Sequence, residues 1–326
     1  MSRAPPPFAR IAPVTDPLAA KRGRFLALAA DLPERCRLIE VSEGPSLARK
    51  LRKLSLFGAR YLRWAATRAG LKPGRVEFPL FWGKLMRLPY ADDADFVTFY
   101  LAGVPGGPEY KLVRWFIRNL KEGDIFYDAG ANYGFYTALA SEFTGETGQV
   151  HAFEPLPEIH DELVRNFAAS AVRAVDAALW DKSGEATLYR HRLSDAFNTL
   201  EPEVTDFDRT RGGETVMVRC LTLDEYAKTN KPPTVIKIDV EGGEKRLLAG
   251  GSQTLRAARP VVAMEVWAGE GGERFSLPAA RALFDLDYAA YALDEGGGEK
   301  ALAADALPAF LRALGVWDNL VFRPRP

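Results

Sequence analysis

The chain has 326 residues, 47% hydrophobic and 26% charged, with a formal net charge of +0. That is room for one large α/β domain, or for a domain with an appendage. The charge balance gives no global field toward nucleic acid or membrane. Two cysteines (Cys36 and Cys220) and three histidines (His151, His160 and His191) build neither a disulfide framework nor a zinc motif.

Residues 1–17 are rich in proline and are expected to be poorly ordered. The start MSRAPPPFAR lacks the layout of a secretory leader. The first apolar run, residues 25–30, is far short of the roughly 20 residues that cross a bilayer. With so few cysteines, a reducing, cytoplasmic setting is expected. Over 47–69, Leu47, Leu51, Leu54, Phe57, Tyr61 and Trp64 recur at helical spacing, and the same segment is basic without an acid. Such a helix packs on its own domain with a solvated basic face, or lies on anionic lipid at the membrane periphery. Aromatic residues over 78–90 and 96–100 form core or roof a substrate pocket. Residues 1–105 are therefore read as an appendage, partly disordered and partly helical, able to cap a substrate.

From residue 106 to 326 strands and helices alternate. Strands are expected at 125–128, 149–154, 172–179, 235–239 and 261–266, with helices at 134–142, 156–167 and 243–249. Residues 187–190 and 215–221 read as extended segments around a polar excursion, and 288–293 and 319–322 as the last two strands. This pattern predicts an α/β domain with a mostly parallel sheet covered by helices on both faces.

Open parallel sheets bind ligands at the carboxyl ends of their strands. The first strand of the alternation ends in Asp128, followed by AGANYG. Gly130 permits a tight turn, Asn132 tolerates a left-handed backbone, and Gly134 opens a helix whose N–H groups face an anionic group. The second strand ends in Glu154-Pro155, an acid placed to take ribose hydroxyls. Together these features indicate a nucleoside-containing cofactor. Asn132 stands where GxGxxG has its middle glycine, which weighs against a dinucleotide-dependent oxidoreductase.

FYDAGANYGFYT, HAFEPLPE, AALWDKSGEATL, LTLDEY and VIKIDVEGGEKRLLAG, in that order and spacing, resemble the FkbM family of methyltransferases over about residues 105–325. The resemblance implies a Rossmann-like class I methyltransferase sheet of seven strands, its last strand antiparallel. It also implies S-adenosyl-L-methionine as methyl donor and O-methylation of a hydroxyl on a glycan, glycolipid or secondary metabolite. By position, Asp128, Gly130, Asn132 and Gly134 would hold the methionine end, Glu154 and Pro155 the ribose side, and Ala178 and Leu179 the adenine.

Methyl transfer needs alignment of acceptor and methyl, and a group to take the hydroxyl proton. The segment after the fourth strand supplies Asp239, which also borders the cofactor site, and Glu241 as the rival base. Alternation along the strand sends Lys237 and Asp239 to one side. The structural alternative has Glu241 pairing with Lys237 and Glu244 serving the helix start. Asp239 and Glu241 could ligate a divalent metal, but no third ligand is fixed, so no metal is assigned. Two further readings compete: a methyltransferase-like binding module without activity, and a nucleic-acid methyltransferase. IDVEGGE lacks the Asn/Asp-Pro-Pro-Tyr pattern of the latter, and no nucleic-acid partner is expected.

Overall fold

A predominantly parallel sheet is what short, nearly all-apolar strands between helices should build, because both faces must be covered. The computed structural model describes residues 16–40, 74–89, 99, 102–105, 108–191, 197–207 and 214–326. Its strands are β1 (Arg75–Pro79), β2 (Leu85–Pro89), β3 (Ile125–Ala129), β4 (Gln149–Phe153), β5 (Arg173–Val175), β6 (Ala178–Leu179), β7 (Gly184–Tyr189), β8 (Thr215–Leu221), β9 (Val235–Ile238), β10 (Val261–Trp267), β11 (Tyr288–Leu293), β12 (Glu299–Leu302) and β13 (Trp317–Pro324). The helices are α1 (Pro17–Leu28), α2 (Leu32–Glu40), α3 (Glu109–Asn119), α4 (Phe135–Thr144), α5 (Pro157–Phe167), α6 (Pro202–Phe207), α7 (Leu223–Ala227), α8 (Glu244–Gly250), α9 (Ser252–Ala258), α10 (Leu277–Asp285) and α11 (Leu307–Ala313), with short helical turns between β10 and α10.

The central sheet runs β12-β11-β13-β10-β9-β3-β4-β5. Neighbours from β5 through β10 are parallel. β13 inserts antiparallel between β10 and β11. This is the expected Rossmann-like methyltransferase sheet with its last strand reversed. It carries one strand more than expected, because β12 pairs antiparallel to β11 at the edge.

One expected strand divides. Residues 172–179 read as a single extended run, but only β5 joins the central sheet. The Ala177 N–H turns back to the Val175 carbonyl at 2.9 Å, and β6 then pairs with β8 in a separate three-stranded sheet, β6-β8-β7. That change of sheet sends Ala178 and Leu179 across the end of β4.

Alternation assigns each strand residue to one of two faces. Tyr127, Ile236, Ile238, Met264 and Leu320 pack against α8, α9, α10 and α11. Phe126, Val235, Ala263 and Val321 pack under α3 and α4. The second core also takes in the described N-terminal elements. Asp16 caps α1 by accepting from the Leu18 N–H at 2.9 Å, with Pro17 in its first turn. Phe25 then meets Phe81, Trp82 and Phe143 at ring distances of 6.4, 5.8 and 5.1 Å. Burying Phe25 contributes about 2 kcal/mol. The poor order expected for 1–17 concerns residues that, apart from Asp16 and Pro17, lie outside those described. The basic helix expected over 47–69 lies wholly outside them. No helix among the described residues is long and apolar enough to cross a membrane.

Candidate active site

Three strand ends meet at the carboxyl edge of the sheet. After β3 the chain turns at Gly130, whose φ is +80°; a Cβ there would stand 1.8 Å from the Asp239 carbonyl oxygen. Only glycine lets the β3 turn and the end of β9 approach so closely. Asn132 follows with φ +50°, its side-chain oxygen accepting from the Tyr133 N–H at 2.7 Å. The turn is fastened to β4: the Gly130 and Ala131 N–H groups donate to the Phe153 carbonyl at 3.2 and 3.0 Å. Glu154 completes the fastening, accepting from the Asn132 N–H at 3.0 Å and the Leu156 N–H at 2.9 Å.

A cavity of about 780 Å³ opens at this edge. It is large enough for a nucleoside cofactor and part of an acceptor. Gly130, Asn132, Glu154, Pro155, Ala178 and Leu179 line it. Asp239 and Glu241 line it too, with Lys237 and Glu265. Eight of the ten site residues read from sequence thus share one space. Asp128 and Gly134 stand behind its wall. Asp128 is buried and accepts from Thr137 Oγ1 at 2.7 Å. Gly134, at φ +94°, starts α4 against Leu163 and Phe167. Phe197, Asn198 and Leu200, from the excursion after β7, also face the cavity, whereas Ser194 and Asp195 fall outside the described residues. His191 contributes nothing to the wall.

The polar cluster is ordered by strand register. Asp128 pairs with Lys237 across β3 and β9, and Glu265 with Asn319 across β10 and β13. The next step of the β9–β10 register brings Asp239 beside Glu265. All lie on the α3–α4 face. The Lys237 ammonium donates to Asp239 Oδ2 at 2.8 Å, so the ion pair runs to Asp239 rather than to Glu241. Burial alone would lower the Lys237 pKa, but Asp239, Asp128 and Glu109 outweigh it and hold the ammonium above its ordinary range. Glu244 keeps its place at the helix start, accepting from the Val240 and Gly242 N–H groups, both at 3.2 Å; burial pushes its carboxyl up to about 7.

Two further carboxyls belong to this cluster. Glu265 is buried, and its Oε2 accepts from Trp267 Nε1 at 2.9 Å. Burial, then the charges of Asp239 and Glu241, raise its pKa well above the usual carboxylate range. Glu109 reaches in from the first turn of α3, accepting from Asn319 Nδ2 at 2.9 Å; burial pushes it up to about 8. The sequence signal for Glu265 is its parity in the apolar strand VVAMEVW. Glu109 carries no such signal, since only tertiary packing brings α3 here.

The family described as Methyltransferase FkbM domain matches residues 128–291. The chain is 27% identical to the hexuronic acid methyltransferase AglP of Haloferax volcanii, over 49% of this chain and 63% of AglP. It is 29% identical to the methyltransferase sdnD of Sordaria araneosa, over 48% of this chain and 71% of sdnD. It thus spans less than two thirds of AglP. Among solved structures, the methyltransferase FkbM of Methylobacillus flagellatus aligns with a TM-score of 0.42 and 16% identity, over 71% of this chain and 53% of that one.

Proposed function

Because this chain belongs to the FkbM methyltransferase family, we propose that it transfers a methyl group from S-adenosyl-L-methionine to a hydroxyl of a glycan, glycolipid or secondary metabolite. The observation that carries this reading is the single cavity in which the Gly130 turn, Glu154 and Asp239 converge on the carboxyl edge of β3, β4 and β9. AglP acts on a hexuronic acid, which supports a sugar hydroxyl as the acceptor.

The residues fit such a cofactor. Gly130 has no side chain to fill the space beside Asp239. Glu154, oriented by two backbone donors at the cavity wall, would take the ribose hydroxyls. Asn132 would face the methionine end, and Ala178 and Leu179 would flank the adenine. The bound cofactor supplies an electrophilic methyl on a positively charged sulfur, a charge that suits the carboxylates lining the cavity.

There Asp239 would receive the acceptor. Lys237 fixes Oδ2, and Oδ1 has no hydrogen-bond partner among the described residues. It is placed to orient the hydroxyl and accept its proton as the oxygen takes the methyl, giving a methyl ether. Glu241, held by a backbone φ of +55° and with its carbonyl accepting from Thr199 Oγ1 at 2.7 Å, is the alternative base.

Calorimetric titration with S-adenosylhomocysteine, beside a Glu154→Ala variant, tests the cofactor site. Micromolar binding that weakens at least tenfold in the variant is expected. A folded wild type that binds none would overturn the reading.

A further inference from the structure

Among the described residues, seven buried side-chain atoms have no hydrogen-bond partner. Two of them, Glu109 Oε2 and Tyr136 Oη, belong to side chains that line the cavity. Both residues are only 6% exposed. A folded chain seldom leaves a buried polar atom unpaired unless something outside the protein completes it.

Both side chains stand close to the Asp239 carboxylate. Lys237, whose ammonium donates to Asp239 at 2.8 Å, lies over the Tyr136 ring, 5.0 Å from its centroid. The charges felt at Glu109 are those of Lys237, Asp239 and Asp318. Glu109 comes from α3 and Tyr136 from α4, so two elements each bring one unpaired group to the same cavity. The two groups also share a chemistry. The Tyr136 hydroxyl both donates and accepts. The Glu109 carboxyl, pushed up to about 8 by burial, is largely protonated near neutral pH; with Oε1 accepting from Asn319 Nδ2 at 2.9 Å, its proton falls to Oε2. Neutral groups that donate and accept are matched by alcohols, which do the same. Phe99 and Phe135 line the same cavity with ring centroids 5.7 Å apart, an apolar wall for the carbon face of a ring. Glu109 Oε2 and Tyr136 Oη are themselves closed to solvent, so they pair through the side-chain shifts that binding commonly brings.

We propose that Tyr136 and Glu109 are specificity-determining residues that hydrogen-bond the hydroxyls neighbouring the one held by Asp239, so that the acceptor is a polyhydroxylated sugar ring rather than an isolated alcohol. Asp239 takes the hydroxyl to be methylated, and Tyr136 and Glu109 hold its neighbours. A site built around substrate hydroxyls rejects an analogue that lacks them, because its own buried polar groups stay unpaired. A lone alcohol on a lipid or polyketide leaves both groups unpaired. The part played by Asp239 rests on the methyltransferase reading; the recognition of a sugar does not.

Full-length protein, with and without S-adenosylhomocysteine, is titrated with the methyl glycosides of glucose, galactose, mannose and glucuronic acid. Cyclohexanol serves as a ring of similar size with one hydroxyl, and ligand-observed NMR reports binding. At least one glycoside should bind roughly tenfold or more tighter than cyclohexanol. Its affinity should fall roughly fivefold or more in Tyr136→Phe and in Glu109→Leu. Glu109→Gln, whose amide donates where the protonated acid did, should stay within about twofold of wild type. Tyr136→Phe removes a hydroxyl that bonds to nothing in the protein, so its midpoint in urea should not fall. A structural tyrosine would show the reverse, lower stability with glycoside binding intact, and that result overturns the proposal. If Glu109→Leu does not fold, Tyr136→Phe decides alone. A folded wild type that binds S-adenosylhomocysteine but none of the glycosides, or that binds cyclohexanol as well as it binds them, also overturns it. Glycoside binding that depends on both residues in a protein that binds no S-adenosylhomocysteine would remove the methyltransferase reading and leave the sugar site standing.

Discussion

Two clusters of buried polar side chains lie on opposite faces of the same sheet. On the α8–α10 face, the His151 ring stacks on Tyr127 at 4.7 Å. Its Nδ1 meets Tyr226 Oη at 2.8 Å and its Nε2 meets Gln149 Oε1 at 3.2 Å. Tyr127 donates to the Lys231 carbonyl at 2.7 Å. Both ring nitrogens and the Tyr127 hydroxyl have partners, and burial holds the imidazole neutral. On the α3–α4 face, Asp239, Asp128 and Glu109 gather around the Lys237 ammonium, with Glu265 beside Asp239, and oxygens of Glu109 and Asp128 have no partner among the described residues. Buried polar groups that close on one another hold a fold together, whereas a set left short of donors and cations at a strand edge is where a ligand completes the count.

The largest effect that distinguishes the two clusters is on turnover. Asp239→Asn keeps a partner for Lys237 but removes the proton acceptor. Methyl transfer to any acceptor used by wild type should fall about a thousandfold, while S-adenosylhomocysteine binding remains measurable. Near-wild-type turnover would return the open cluster to a structural role. Lys237→Met comes next. It leaves Asp239 and the buried Asp128 without their cation, and breaking such a group costs about 3–5 kcal/mol. Urea unfolding should show that loss, and an unchanged midpoint would mean that Lys237 does not balance the cluster.

Much of this face can be read from sequence by parity. Lys237 and Asp239 fall on one side of β9 because they are two residues apart, and Glu154 follows β4 where a parallel sheet places its ligand edge. Register cannot be read the same way. Glu265 joins Asp239 only because β10 pairs in step with β9. Glu109 joins because α3 crosses that face, a tertiary contact with no local pattern. The break between β5 and β6 was hidden because 172–179 has an unbroken extended character, and only the turn at Ala177 ends it. The short β12 escaped because four residues, EKAL, follow a glycine run and carry no alternation.

The closed cluster makes its own, smaller prediction, set by pH. Burial first, and the Arg173 charge second, lower the His151 pKa from 6.5 to about 4. Between these values the unfolded chain binds a proton at His151 that the folded chain refuses. Stability from this group is thus fully present above pH 6.5 and declines as pH falls toward 4, by up to about 3 kcal/mol. His151→Phe keeps a ring against Tyr127 and removes the titration. It adds a pH-independent cost of about 1 kcal/mol for the lost bond to Tyr226. The stability difference between wild type and variant, measured by urea unfolding from pH 7.5 to 4, should therefore be flat above 6.5 and shrink below it, reversing sign near the acid end. A difference that stays constant through the window would mean that His151 titrates alike in both states, and that the closed cluster is open to protons after all.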